Sequence, residues 1–257
     1  MINETDTHDK EMNQEPELTA TDTDRDGAAA AAAEELQHTE IQENTSAILA
    51  AEAEAVANVE ANVYDGHNAQ VMIVEESGQE KTDEPDDEFD TLGIEPALLK
   101  AVKELGFVHP MPIQRMVIPH LLHKEGDVVG LAQTGTGKTA AFGIPVLQRT
   151  DASRAVPQSL IIAPTRELCL QIAGDLADFA KYVDGVRILP VYGGSSIESQ
   201  IRSLRKGVQV VVATPGRLID LIKRGEVKLD QVGTVILDEA DEMLNMGFLD
   251  DIKEILT

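Results

Sequence analysis

Five short runs of apolar, largely β-branched residues punctuate the later two thirds of the chain: Val128-Val129, Leu160-Ile161-Ile162, Arg187 to Tyr192, Val208 to Val212 and Val235-Ile236-Leu237. Each is nearly continuous in apolar residues, although Arg187 to Tyr192 is the weakest. Each is followed by a loop and then by a helical pattern. Strands wetted on one face alternate apolar and polar residues, whereas strands covered on both faces do not. The pattern therefore predicts a parallel sheet clothed by helices on both sides, an α/β doubly wound fold. In such a sheet ligands bind beyond the carboxyl ends of the strands, so the chemistry is expected in the loops that follow these runs.

Charge divides the chain in two. Residues 1–88 hold 25 acidic and 3 basic residues, against 21 and 18 in residues 89–257, so nearly all of the formal charge of −25 belongs to the leader. With one aromatic residue, Tyr64, that leader is too polar and too charged to offset the entropy of ordering. It is expected to be mostly disordered. Two stretches depart from its composition: an Ala- and Glu-rich segment from Ala28 through Ala61 suited to a transient helix, and the apolar run Val71-Met72-Ile73-Val74. A leader of this charge repels nucleic acid, and the expected partner for it is a basic protein surface.

Cys169 is the single cysteine, which excludes an internal disulfide and fits a reducing compartment. The start, MINETDTHDK, lacks the basic and apolar regions of an export signal, and no window approaches the roughly 18 apolar residues of a membrane span. A cytoplasmic protein without a membrane partner is expected.

The most informative loop is Ala132-Gln133-Thr134-Gly135-Thr136-Gly137-Lys138-Thr139, lying between the Val128 run and the helical Ala140-Ala141-Phe142. Its glycines let backbone N–H groups close around phosphate oxygens, and a helix N-terminus favours the anion. Lys138 can then reach the β and γ phosphates while the Thr139 hydroxyl ligates Mg²⁺. The first position is Ala132 where the strict pattern has Gly. About a hundred residues later the run Thr234-Val235-Ile236-Leu237 ends in Asp238-Glu239-Ala240-Asp241. A strand-end Asp can hold Mg²⁺ opposite the loop hydroxyl, and the adjacent Glu can orient or deprotonate a water.

In order along the chain stand AQTGTGKT, PTREL, a Gly-Gly pair, TPGR and DEAD. With these motifs residues 89–257 resemble the amino-terminal RecA-like lobe of DEAD-box ATP-dependent RNA helicases. Within that family, Gly216-Arg217-Leu218 through Asp241-Glu242-Met243-Leu244 resembles the bacterial cold-shock type.

The resemblance implies roles for particular residues. Gly106 to Gln114 is similar to the family's glutamine motif, so Gln114 would read the adenine edge and Phe89, seventeen residues upstream of that motif, would accompany it. Met111 stands where the family usually has Thr or Ser. Residues 133–139, from Gln133 and Thr134 through Gly135, Thr136 and Gly137 to Lys138 and Thr139, would bind ATP, with Thr139 and Asp238 on Mg²⁺ and Lys138, Asp238 and Glu239 catalytic.

The RNA backbone would be held by Pro164, Thr165, Arg166 and Glu167, by Gly193 and Gly194, and by Thr214, Pro215, Gly216 and Arg217. Such contacts to phosphates and 2′-hydroxyls are independent of sequence. Arg202, Arg205 and Lys206 form a further basic cluster, read as a solvated helix face. Asp241 would couple the nucleotide site to a Ser-Ala-Thr motif on a following strand.

That motif, the second lobe and its arginine fingers are not in the sequence, and Phe248 to Leu256 reads as a helix cut without a cap. Such an arginine is typically worth about 10³ to 10⁵ in turnover. The expectation is a truncated helicase lobe with little turnover alone, and the alternative is a non-catalytic RNA- or protein-binding single lobe.

Overall fold

A computed structural model describes residues 70–73, 88–123, 126–132 and 135–257. The segment from Ala28 through Ala61 lies outside the described residues.

All five sequence runs are strands, and a sixth comes from the leader. In chain order the strands are β1 (Gln70–Ile73), β2 (Val128–Leu131), β3 (Ser159–Ile162), β4 (Ile188–Val191), β5 (Val210–Ala213) and β6 (Thr234–Leu237). The helices are α1 (Pro96–Glu104), α2 (Pro112–His123), α3 (Lys138–Gln148), α4 (Arg166–Phe179), α5 (Ile197–Arg205), α6 (Pro215–Lys223), α7 (Ala240–Asn245) and α8 (Leu249–Leu256), with 3₁₀ turns at Phe89–Leu92 and Ala180–Tyr182.

The strands pair in parallel throughout, but as two ladders: a four-stranded one in the order β4-β5-β3-β6 and a two-stranded one, β1-β2. The chain enters the larger ladder at β3, builds outward through β4 and β5, and then returns to the other side of β3 with β6.

Helices cover both faces of that ladder, and the alternation of its side chains shows how. Ile161, Val210 and Val212 point into a core with Ile144 and Leu147 of α3 and Ile172 and Leu176 of α4. Their neighbours Leu160, Ile162 and Val211 point into the opposite core with Leu218 and Leu221 of α6 and Ile252 and Ile255 of α8. All four residues of β3 and of β5 are buried. Strands buried on both faces have no polar positions to alternate, which is why these read as unbroken apolar runs.

Two buried glutamines lock the far end of the sheet. The Gln209 side chain accepts from Arg187 N–H at 2.9 Å and donates to the carbonyls of Ala152 and Arg154 at 3.3 and 3.0 Å. Gln158 does the same for the Asp151 N–H and carbonyl at 3.0 and 2.8 Å. Each satisfies loop groups that burial would otherwise leave unpaired.

Candidate nucleotide and RNA site

The loops that leave β3, β4, β5 and β6 emerge at one edge of their ladder, because parallel strands deliver their carboxyl ends together. The phosphate loop follows β2 and opens α3. Gly135 and Gly137 take φ of 85° and 82°, a left-handed conformation costly to residues with a Cβ. Gly137 is further constrained by space, since a Cβ there would lie 2.2 Å from the Gln114 Nε2. Lys138 folds back over the loop and donates from Nζ to the Ala132 carbonyl at 2.7 Å. Thr136 is buried, while Thr139 lies half-buried in the first turn of α3. Gln133 and Thr134 lie outside the described residues.

Facing the loop across a cleft of about 440 Å³ is the end of β6. The cleft is lined by Gly135, Gly137, Lys138 and Thr139 on one side and Asp238 and Glu239 on the other, with Phe107 and Leu105 at its rim. Burial raises the Asp238 carboxyl above the usual aspartate range, and the Lys138 charge partly opposes it. Glu239 is raised as well, first by desolvation and then by the neighbouring Asp238 charge.

Glu239 is also the one non-glycine among the described residues with positive φ, at 53°. Such a conformation costs on the order of 1–3 kcal/mol and persists only where the surroundings impose it. Here the N–H of Asp238 is fixed to the Ile162 carbonyl at 3.0 Å and α7 starts at once behind Glu239. The turn leaves Glu239 on the cleft wall.

The glutamine motif is fastened to this loop. Gln114 is fully buried, accepting from the Met111 N–H at 2.8 Å and donating to the Gly137 carbonyl at 3.2 Å. The residue expected to read a base thus braces the phosphate loop in this structure. Phe89, expected beside the base, is 1% exposed and does not line the cleft. Its 3₁₀ turn carries it into the core, where its ring meets Phe107 edge-on at 6.1 Å. Phe107 stands edge-on to Phe179 at 6.0 Å, and both of these rings line the cleft. Sequence reasoning placed Phe107 in the motif without giving it a task. Asp175 and Asp178 of α4 also line the cleft; spaced three apart, they share a helix face, a signal present in the sequence but not used.

The expected RNA-binding segments form a second constellation beyond β3, β4 and β5. Thr165 caps α4 by accepting from the Leu168 N–H at 3.2 Å, leaving Arg166 and Glu167 exposed on its first turn. The Arg166 guanidinium sits 4.9 Å from the centre of the Tyr192 ring, beside the exposed Gly193 and Gly194. Arg217 of α6 donates to the Ser195 carbonyl at 3.1 and 3.2 Å and to the Gln200 Oε1 at 3.0 Å, while the Gln200 amide donates to the Tyr192 carbonyl at 3.1 Å. Pro215 is buried at the start of α6 and Gly216 beside it is exposed.

These bonds join the Gly-Gly loop to the Thr214–Arg217 turn. Tyr192, Ser195 and Gln200 are thus framework residues that no sequence motif announced. Asp241 is exposed in the first turn of α7. In the basic cluster Arg205 is held by Glu226 at 2.6 and 3.0 Å.

The donor set suits a nucleotide with a divalent cation. Among the described residues no three His, Cys, Asp or Glu side chains form a self-contained metal cage, and Mg²⁺ characteristically uses one or two protein oxygens together with substrate phosphates. Thr139 and Asp238 on opposite cleft walls match that requirement.

A parallel sheet with a phosphate loop after one strand and an acidic strand end across from it defines a nucleoside-triphosphate-handling protein. The model of the DEAD/DEAH box helicase family matches residues 111–257, and the chain belongs to that family. It is 51% identical over 168 residues to an ATP-dependent RNA helicase DeaD of Haemophilus influenzae, covering 65% of this chain and 27% of that protein. A crystal structure of a DEAD box protein from Methanococcus jannaschii superposes with a TM-score of 0.63 at 42% identity, covering 66% of this chain and 46% of that one. A Saccharomyces cerevisiae Dbp5 variant bound to RNA and ADP BeF3 superposes at 0.58 with 34% identity, covering 65% and 42%. The chain thus spans about a quarter of the length of the Haemophilus relative. Among the described residues no helix is long and apolar enough to cross a membrane.

Proposed function

We propose that this chain is the amino-terminal lobe of an ATP-dependent RNA helicase, binding ATP with Mg²⁺ and the RNA backbone at neighbouring sites so that hydrolysis drives the separation of short duplexes. The observation that carries the reading is the meeting of Lys138, Asp238 and Glu239 on one cleft, with the Arg166, Gly194 and Arg217 ledge on the same sheet edge.

In this reading the N–H groups of the phosphate loop and the ammonium of Lys138 bind the phosphates. Thr139 and Asp238 hold the Mg²⁺, which when bound neutralises charge developing on the phosphate oxygens. Glu239 accepts a hydrogen bond from the attacking water and orients it; its raised proton affinity suits it to take the proton. Gln114, released from or sharing its bond to Gly137, pairs donor and acceptor with the adenine edge, a pattern guanine does not offer, and Phe89 supports the base through Phe107.

The RNA is held without regard to sequence by Pro164 to Glu167, Gly193, Gly194 and Thr214 to Arg217. Asp241 relays the state of the cleft to the rest of the protein. The site is completed by a second RecA-like lobe supplying arginines, without which turnover by this lobe is slight. The acidic leader engages a basic partner protein, and the protein works in the cytoplasm.

Joining the chain to a second RecA-like lobe and measuring ATP turnover with and without single-stranded RNA tests the reading. Stimulation that disappears on Glu239→Gln is expected. Turnover indifferent to RNA would refute the helicase assignment.

A further inference from the structure

Glu104, the last residue of α1, is exposed and does not line the cleft, yet it ties together the two stretches of chain that build the cleft's aromatic wall. Its Oε1 accepts from Lys181 Nζ at 2.7 Å, and its Oε2 accepts from the Tyr182 hydroxyl. These two bonds, that of Lys181 first, hold the Glu104 carboxyl below the usual glutamate range. The Tyr182 ring is held by cations in turn, with Lys100 Nζ 3.9 Å and Lys181 Nζ 5.3 Å from its centre. Lys100 precedes Glu104 by one helical turn, so both reach Tyr182 from one face of α1.

The clamp lies within three residues of the cleft on either side. Gly106 takes φ of 87°, its N–H donates to the Lys103 carbonyl at 3.1 Å, and the Phe107 N–H donates to the Val102 carbonyl at 3.2 Å. This pair of bonds around a left-handed glycine closes a helix tightly, so Phe107 follows the end of α1. Phe179 ends α4, and the Ala180–Tyr182 turn starts directly behind it, its exit fixed by the Val183 N–H on the Ala180 carbonyl at 2.8 Å. The circuit closes at the cleft, where Phe107 and Phe179 meet edge-on at 6.0 Å beside Leu105.

We propose that Glu104 is a positioning residue: by fastening the end of α1 to the turn after α4, it fixes Phe107 against Phe179 and so shapes the wall that the cleft offers to the nucleotide base. The phosphates belong to the loop from Gly135 to Thr139, which leaves the ring-lined part of the cleft for the base; to that extent the proposal rests on the ATP reading above. An isolated exposed ion pair contributes little stability. The Glu104 carboxylate engages two donors at once, and its effect is on geometry.

The test titrates the 257-residue chain, with Mg²⁺ present, with ATP and with inorganic tripolyphosphate, which has the phosphates without the base. Glu104→Ala should weaken ATP about fivefold, the scale of one misplaced aromatic contact, and leave tripolyphosphate unchanged because the phosphate loop is untouched. Glu104→Gln keeps an oxygen acceptor in place and should restore most of the ATP affinity. Lys181→Ala with Tyr182→Phe should reproduce the loss, and adding them to Glu104→Ala should weaken ATP no further. Arg224→Ala breaks an exposed pair with Asp220 on α6 and should change neither ligand.

Amide hydrogen exchange reads the clamp without nucleotide. In Glu104→Ala the amides of Gly106 and Phe107 should exchange about tenfold faster while those of β3 and β5 stay protected. ATP affinity equal in parent and Glu104→Ala, or equal losses for ATP and tripolyphosphate, would overturn the proposal. A parent that binds ATP no more tightly than tripolyphosphate would instead fault the adenine reading. Exchange at Gly106 and Phe107 would then decide alone, and unchanged rates there would refute the clamp.

Discussion

The ledge built on β3, β4 and β5 and the cleft built between β2 and β6 lie on one edge of the same sheet architecture, yet they are made differently. β3 and β5 are buried along their whole length, and the loops leaving them are tied together through Arg217, Ser195, Gln200 and Tyr192. The cleft has a half-exposed β2 on one side and a half-exposed β6, with Val235 40% exposed, on the other. It also contains the strained Glu239 and two desolvated carboxylates. A surface that tracks a repetitive backbone can be preformed and rigid. The cleft, by contrast, is where the one strained non-glycine backbone among the described residues and two desolvated carboxylates meet, as befits a site whose side chains are set by chemistry at the expense of stability.

The largest expected effects come from striking the rigid side. Ile161→Ala opens a cavity in a fully buried strand and should cost about 2–5 kcal/mol in denaturant unfolding, whereas Val129→Ala in β2 should cost less than about 1 kcal/mol because that side chain is already partly wet. Equal losses would erase the distinction. Gln209→Ala should cost about 1–3 kcal/mol by stranding the Arg187 N–H and two carbonyls, with nucleotide affinity unchanged.

On the cleft side, mutation should stabilise. Glu239→Gly relieves a left-handed backbone and should raise unfolding free energy by about 1 kcal/mol while abolishing turnover in the lobe-completed enzyme.

The smallest effect is a pH dependence with a definite sign. Asp238 and Glu239 bind protons more tightly folded than unfolded, so their ionisation opposes folding as pH rises through the interval between the ordinary carboxylate values and the raised folded ones. Asp238→Asn with Glu239→Gln should therefore be more stable than the parent at neutral pH, and the advantage should shrink as pH is lowered through that interval. An advantage that grows on acidification would mean that these carboxylates are held charged by partners.

How much of this the sequence could show follows from which interactions are local. The strands of the ledge were legible because burial on both faces leaves no polar positions, and the phosphate loop and Asp238-Glu239 because their chemistry demands particular residues at fixed spacing. Long-range partners left no such trace: nothing local in Gln114 marks its bond to a carbonyl 23 residues away, and nothing in Phe89 says that its ring would be buried behind Phe107. The split into two ladders was equally hidden, since an apolar run announces a strand but not its neighbour. Val71 to Val74 was visible as an apolar run in the leader, while the pairing of Gln70–Ile73 with β2 depends on a register that only the fold reveals.

The account stands or falls on whether the phosphate loop and the carboxylates of β6 form one nucleotide site. Calorimetric titration of ATP with Mg²⁺ into the 257-residue chain and its Lys138→Ala and Asp238→Asn variants measures this directly. The account predicts that either change weakens binding at least tenfold, that omission of Mg²⁺ weakens the parent strongly, and that the Asp238→Asn variant has lost most of its dependence on the cation. Affinities equal across the three proteins, or a dependence on Mg²⁺ that survives Asp238→Asn intact, would contradict it.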